Sequence, residues 1–290
     1  MGLNRRQLLL AAGAGLLGTG TLNRVLAADK GSPKKVLFFT KSSGFQHSVI
    51  ARKGDKLGLA ERILTEVGKE HGFEVVASKD GRLFDPDKIG EWDAFAFQTT
   101  GDLTQPGLDK TPPMSKDGKK AFLDAIRDGK GFIGMHCATD TFHSTPAGID
   151  PYIDMIGGEF IIHGAQQVAK LDVVDPEFPG AKAFGSSIKI NDEWYALKNF
   201  ADNLHVIMAH DTQGMKGGMY QRPNFPETWA RAYGKGRVFY TSMGHREDVW
   251  ENPIYQGLLM GALGWATGKV ETSIEPNISK VTPNCKTLGV

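Results

Sequence analysis

Cysteine is nearly missing from this sequence: Cys137, which closes an apolar run, and Cys285, in a polar tail, are the two among 290 residues. That excludes a disulfide framework, although an exported chain could still form one bridge. Neither sign of charge dominates, with 34 Lys and Arg against 33 Asp and Glu, which argues against intrinsic disorder and a polyanion-binding surface. Arg5, Arg6 and Arg24 fall in residues 1–27, which hold no acid, so the chain beyond them carries 31 basic and 33 acidic residues and a net charge of −2. With no basic stripe left to neutralise phosphates, nucleic acid is not an expected partner. No run of about 18 apolar residues is present to span a membrane, and there is no internal repeat, low-complexity segment or HExxH signature. Glycine, by contrast, is abundant: 36 residues, many of them just beyond apolar runs, where tight turns and close ligand approach favour it.

Residues 1–27 read MGLNRRQLLLAAGAGLLGTGTLNRVLA. The pair Arg5-Arg6 precedes a short, mildly apolar stretch, and Val25-Leu26-Ala27 closes the segment. This resembles a twin-arginine export signal, so the expected location is periplasmic or extracellular, with the mature chain starting near Ala28. An amphipathic N-terminal helix or an uncleaved anchor is the alternative. The expected division is an export signal over 1–27, one α/β domain over 28–268, and a polar tail over 269–290 with no evident core contribution.

Residues 35–40 (KVLFFT), 73–77 (FEVVA), 94–98 (AFAFQ) and 131–135 (GFIGM) predict strands, with helical patterns over 54–70 and 116–127 between them. This alternation predicts βαβ units and an α/β fold, a three-layer sandwich whose central sheet is mostly parallel and covered on both faces. Further on, 151–156 reads as one or two helical turns, 168–174, 188–190 and 205–209 as strands, and 253–266 as a helix. Residues 228–233 and 237–242 predict an antiparallel pair joined through Gly234-Lys235-Gly236.

Ligands of an open parallel sheet collect beyond the carboxyl ends of its strands. Four polar clusters fall there: Gly44-Phe45-Gln46-His47, Thr99-Thr100-Gly101-Asp102, His136-Cys137-Ala138-Thr139-Asp140 with His143, and Gly244-His245-Arg246-Glu247-Asp248. In GFIGMHCATD a strand runs into a sharp turn, the geometry of a nucleophile elbow. The apex is His136. Cys137 comes one place later and reads as a small buried residue, which makes a cysteine hydrolase the weakest reading. Of eight histidines, His47, His136, His163 and His245 stand at glycine-rich strand–loop junctions.

The string Asn191-Asp192-Glu193-Trp194-Tyr195 is an ordinary surface feature on a solvated turn. In a pocket it offers a carboxylate as base or ligand, an aromatic face for a sugar ring and a hydroxyl donor. Adjacent residues in extended backbone face opposite ways, so Asp192 and Glu193 are not expected to share a role. Imidazoles with a carboxylate suit Zn²⁺ or another divalent first-row metal, and His47, His136, His163, Glu193 and His245 are the candidate ligands. Without a metal, the same groups serve as general acid and base. Asp102, Asp140 and His163 join His47, Asp192, Trp194 and Tyr195 as candidate substrate contacts.

The phrases GFIGMHCATDTFH, YIDMIGGEFIIHG, INDEWYAL, PETWARAYGKGRVFYTSMGH and YQGLLMGALGWATG, spread over residues 34–268, resemble the ThuA-like, or trehalose-utilisation, family. The resemblance implies a flavodoxin-like fold of the class I glutamine-amidotransferase type. It also implies a role in the use of trehalose and related disaccharides, alongside oxidoreductases that make 3-keto sugars. It matches the family's histidines to His47, His136, His163 and His245 and its acidic pair to Asp192 and Glu193. Glutamine amidotransferases carry a cysteine at the elbow apex where this chain has His136, so ammonia transfer is not expected. The expected function is an exported enzyme acting on a disaccharide or its keto derivative by hydrolysis, elimination or isomerisation. His136 and His245 would flank the reacting carbon, Glu193 would orient a histidine or bind metal, and Trp194 or Tyr195 would touch the sugar. The competing reading is a noncatalytic sugar-binding or accessory protein. Whether the chain forms a homo-oligomer is left open.

Overall fold

The structure, a computed structural model, describes residues 32–289. The expected export signal over 1–27 lies outside them. The strands are β1 (Lys34–Phe39), β2 (Phe73–Ser78), β3 (Ala94–Phe97), β4 (Gly131–Met135), β5 (Glu159–His163), β6 (Gln167–Val173), β7 (Ser187–Asp192), β8 (Tyr195–Lys198), β9 (His205–Asp211), β10 (Phe225–Tyr233) and β11 (Gly236–Thr241). The helices are α1 (Leu59–Glu70), α2 (Lys116–Arg127), α3 (Pro151–Ile156), α4 (Glu247–Trp250), α5 (Pro253–Ala266) and α6 (Ile278–Val281).

Among the described residues, nine strands form one mixed sheet in the order β2-β1-β3-β4-β11-β10-β9-β6-β7. From β2 to β11 neighbouring strands are parallel, and from β11 to β7 they are antiparallel. β5 and β8 pair separately as a small antiparallel ribbon. The continuous apolar run of β1 follows from burial on both sides, since alternate side chains enter opposite layers. Val36 and Phe38 join the core under α1 and α5, with Ile63, Leu64, Leu258 and Trp265. Leu37 and Phe39 join the core under α2 and α3, with Phe122, Leu123, Tyr152 and Ile153. Three layers result.

Two expectations need correction. Helix α1 starts at Leu59, five residues later than the periodicity suggested, because the Glu61 carboxylate accepts the Gly58 N–H at 2.9 Å and closes the first turn there. A side chain at Gly58 would lie 2.8 Å from the Val49 carbonyl, which accounts for glycine at that boundary. The C-terminal tail, in turn, contributes to the core. Ile278 and Cys285 are buried in the layer that holds α2, and the Asn277 side chain bonds Val206 N at 2.6 Å and Val206 O at 3.1 Å. Its polar composition conceals an anchor made of few apolar side chains and several backbone contacts. No helix among the described residues is long and apolar enough to cross a membrane.

Candidate active site

The site is built where β1, β4 and β11 end. β4 and β11 are parallel neighbours with Met135 opposite Thr241, so the residues that follow them emerge side by side. His136 comes directly after β4 with φ +45°, a left-handed conformation uncommon for a residue other than glycine. Such backbone costs about 1–3 kcal/mol and persists only where its surroundings impose it. Here Tyr240 Oη donates to the His136 carbonyl at 2.7 Å, and His136 Nδ1 donates to the Ser242 carbonyl at 2.9 Å. The second bond places hydrogen on Nδ1, so in the neutral ring Nε2 is the nitrogen with the lone pair.

That lone pair faces His245 Nδ1 at 3.3 Å and Glu193 Oε2 at 3.4 Å. His245 Nδ1 is itself 3.1 Å from Glu193 Oε2. His47, on the loop after β1, sets its ring edge-on to those of His136 and His245, with centroids 4.9 and 5.1 Å away. Its Nδ1 is buried without a hydrogen-bond partner. One ligand atom from each of His47, His136, Glu193 and His245 lies within 4.8 Å of the other three.

Charge in the cluster follows from this packing. Burial, reinforced by the imidazoles of His136 and His245, pushes His47 down to about 2, so it is neutral. Burial acts to raise the Glu193 carboxyl, but the imidazoles of His136 and His245 packed against it outweigh burial and hold the group well below the usual carboxylate range. Burial acts to lower His245, yet the bond to Glu193 prevails and raises it. With Nδ1 of His136 committed to Ser242, its Nε2 lone pair confronts an ionised carboxylate. The His245 Nδ1–H, 3.3 Å from one and 3.1 Å from the other, or a bound cation, can bridge them. Three imidazoles and one carboxylate are a fitting donor set for a first-row divalent ion. The orphaned His47 nitrogen and the carbonyl-fixed His136 ring fit the same purpose.

The remaining expected residues are dispersed. His163, exposed at the end of β5, reaches the cluster's rim, its Nδ1 3.2 Å from Glu193 Oε1 and 2.9 Å from the Gly164 carbonyl. Tyr195 is buried, its ring 4.3 Å from that of His136 and 4.2 Å from Phe160. Trp194, expected to touch sugar, points the other way: it is fully buried against His210 and donates Nε1 to the Gln167 carbonyl at 2.8 Å. Asp192, also expected at the substrate, accepts the backbone N–H of Gly244 (2.8 Å), Glu193 (2.9 Å) and Arg246 (3.2 Å), so its carboxylate holds the His245 loop instead. Asp102 is exposed and caps its own turn through Thr104. Asp140 pairs with His143 Nε2 at 2.6 Å. Cys137 lies in the apolar layer with its thiol pushed well up by burial; a thiol kept protonated is inert, which sets the cysteine-hydrolase reading aside.

Sequence reasoning missed Glu227. It is fully buried in β10 and accepts from Ser242 Oγ at 2.9 Å, Met243 N at 3.1 Å, Thr241 Oγ1 at 3.2 Å and the Thr228 hydroxyl. Burial pushes its carboxyl up to about 7 against the opposing donors. The available signal was an acid inside the apolar strand pattern FPETWARAY.

Residues 35–266 match the ThuA family, described as trehalose utilisation. The chain belongs to the ThuA family. Among solved structures, a protein described as ThuA-like from Bacteroides uniformis gives a TM-score of 0.61 at 17% identity, over 82% of this chain and 93% of that one. Another so described, from Parabacteroides merdae, gives 0.60 at 17% identity over 89% and 97%. A cytoplasmic protein from Salmonella typhimurium gives 0.51 at 11% identity over 80% and 98%. At these identities the likeness is one of fold, the flavodoxin-like, class I glutamine-amidotransferase-like sandwich common to ThuA-like proteins. None of the curated proteins matches the chain.

Proposed function

We propose that this ThuA-family protein is an exported carbohydrate-processing enzyme acting on a disaccharide or keto-disaccharide related to trehalose, with His47, His136, Glu193 and His245 holding a divalent first-row metal ion. The supporting observation is the convergence of those four ligand atoms within 4.8 Å at the carboxyl edge of the parallel strands. When bound, such an ion supplies Lewis-acid polarisation of a sugar carbonyl or hydroxyl. The chain's own residues bind the sugar and handle its protons. With Nδ1 of His163 committed to Gly164 O and Glu193 Oε1, its Nε2 is left to take a proton from a hydroxyl or from a carbon beside a keto group. Phe45, 66% exposed yet edge-on to His47 at 5.1 Å, is pinned through its carbonyl to Thr100 Oγ1 at 2.8 Å and offers an aromatic face to a sugar ring. A sugar oxidoreductase would supply the keto-disaccharide.

The test is metal analysis of protein purified without chelators from its own compartment, followed by incubation with trehalose and a panel of oxidised and unoxidised disaccharides. The expected result is a stoichiometric first-row metal and turnover of one such sugar that chelation abolishes and metal restores. Tight sugar binding without turnover would instead establish the noncatalytic accessory role.

A further inference from the structure

Glu227 does not touch the histidine cluster, yet its contacts lead to it. A bulge marks its place in β10: Pro226 pairs with Ala209 of β9 and Thr228 with Met208, leaving Glu227 as the extra residue. A bulge re-aims the side chain it carries. Here the carboxyl meets the end of β11, where Oε1 accepts the Met243 N–H at 3.1 Å and the Ser242 hydroxyl at 2.9 Å. The Met243 N–H and the Ser242 carbonyl are the two ends of one peptide group. That carbonyl accepts the Nδ1–H of His136 at 2.9 Å. A carboxylate, a peptide group and an imidazole are therefore joined in series, and the far nitrogen of the imidazole faces Glu193 and His245.

We infer that Glu227 is a positioning residue which, through the Ser242–Met243 peptide, fixes the His136 tautomer and strengthens Nε2 as a donor to a cation. Negative charge at the N–H end of a peptide polarises it, so its carbonyl oxygen becomes a better acceptor for the next N–H in the chain. A carboxylate bonded directly to a metal-ligating histidine acts in the same sense, fixing the ring and raising its basicity. In this fold the peptide stands between the two, which allows the carboxyl to remain in the dry interior. As regards the cation, the inference rests on the proposed metal site; as regards the His136 tautomer, it stands by itself.

The test is Glu227→Gln at pH 8, above the value of about 7 to which burial pushes the native carboxyl. The amide can keep Oε1 as acceptor for Ser242 and Met243 and turn its NH₂ toward Thr228, so the strands stay tied while the charge is removed. Two readings are taken on the full chain without added tags: Zn²⁺ affinity by titration, and the His136 Nδ1–H proton resonance in the metal-free protein. The expected result is a loss of Zn²⁺ affinity of about 10-fold or more with an upfield move of the resonance. A folded variant that matches wild type in both overturns the inference. If wild type takes up no Zn²⁺, the metal reading fails, and the resonance alone decides whether Glu227 acts on His136. Should the amide variant not fold, Glu227→Asp, which keeps the charge but draws it away from Met243, is read the same way; an unchanged resonance there overturns the inference too.

Discussion

His136 is held at three points: its left-handed φ at the β4 end, its carbonyl on Tyr240, and its Nδ1 on Ser242. Little is left for the side chain to do except present Nε2 to the cluster. Replacing it by Gln removes the imidazole nitrogen but keeps a polar group of similar reach. His136→Gln and His245→Gln should each lose bound metal first, with turnover of the sugar reaction reduced at least about 100-fold. Parallel metal content and kinetics on folded variants check this, and full occupancy with wild-type turnover in both would remove the shared site. One position on, Cys137 has the opposite character. It packs among apolar side chains with its thiol neutral, so Cys137→Ala should retain most activity while costing about 1 kcal/mol of stability as a small core truncation. Inactivation of correctly folded C137A, or a covalent substrate adduct on the sulfur, would contradict it.

At the scale of elements, the loop from Ser242 to Arg246 sets the site, and glycine makes it turn. Gly244 has φ +118°, and a β-carbon there would come within 2.7 Å of Tyr255 Oη. Its carbonyl takes Gln98 Nε2 at 2.8 Å and Trp250 Nε1 at 2.9 Å, while its N–H goes to Asp192. Gly244→Ala should therefore cost about 1–3 kcal/mol in backbone strain and displace His245, read as a lower denaturation midpoint together with weaker Zn²⁺ binding. A variant with wild-type values for both would show that the loop adapts freely. The same elements mark what the sequence could and could not reveal. β1, β3, β4, α2, α5 and the β10–β11 hairpin were legible because apolar runs and glycine turns are local signals. The elbow at His136 was legible as a strand meeting a turn. β5 and β8 were not, because their apolar runs, Phe160–Ile162 and Tyr195–Leu197, are only three residues long, Ile161 and Ile162 are exposed, and neither strand alternates cleanly. Trp194 and Asp192 were misplaced for a related reason: their orientation depends on the chain leaving one sheet for another at Glu193, a tertiary event.

For the molecule as a whole, acid should be felt through histidines kept neutral by burial. His210 is fully buried between Trp194 and Phe225, and neither ring nitrogen has a partner. Burial, with Arg222 nearby, pushes it down to about 3. An unfolded chain takes up a proton at this residue below about 6.5, whereas the folded one refuses it down to about 3, so stability falls as pH drops through that window and the penalty levels off below it. At 1.36 kcal/mol per unit, the loss by pH 5 is about 2 kcal/mol as an upper figure. Glu227 works in the other direction. Its carboxyl is raised to about 7, so the stability gained from holding its proton is complete below about 4.5 and lost as pH rises through 7. Raw pH–stability curves will mix the two. Comparing wild type with His210→Phe isolates one, since Glu227 and His47 are common to both proteins and cancel, as does any constant packing cost of the larger ring. Between pH 7.5 and pH 5, urea unfolding should show wild type losing about 2 kcal/mol more than the variant. Parallel curves over that range would mean that His210 takes up its proton while folded, and that the aromatic cage around it admits water.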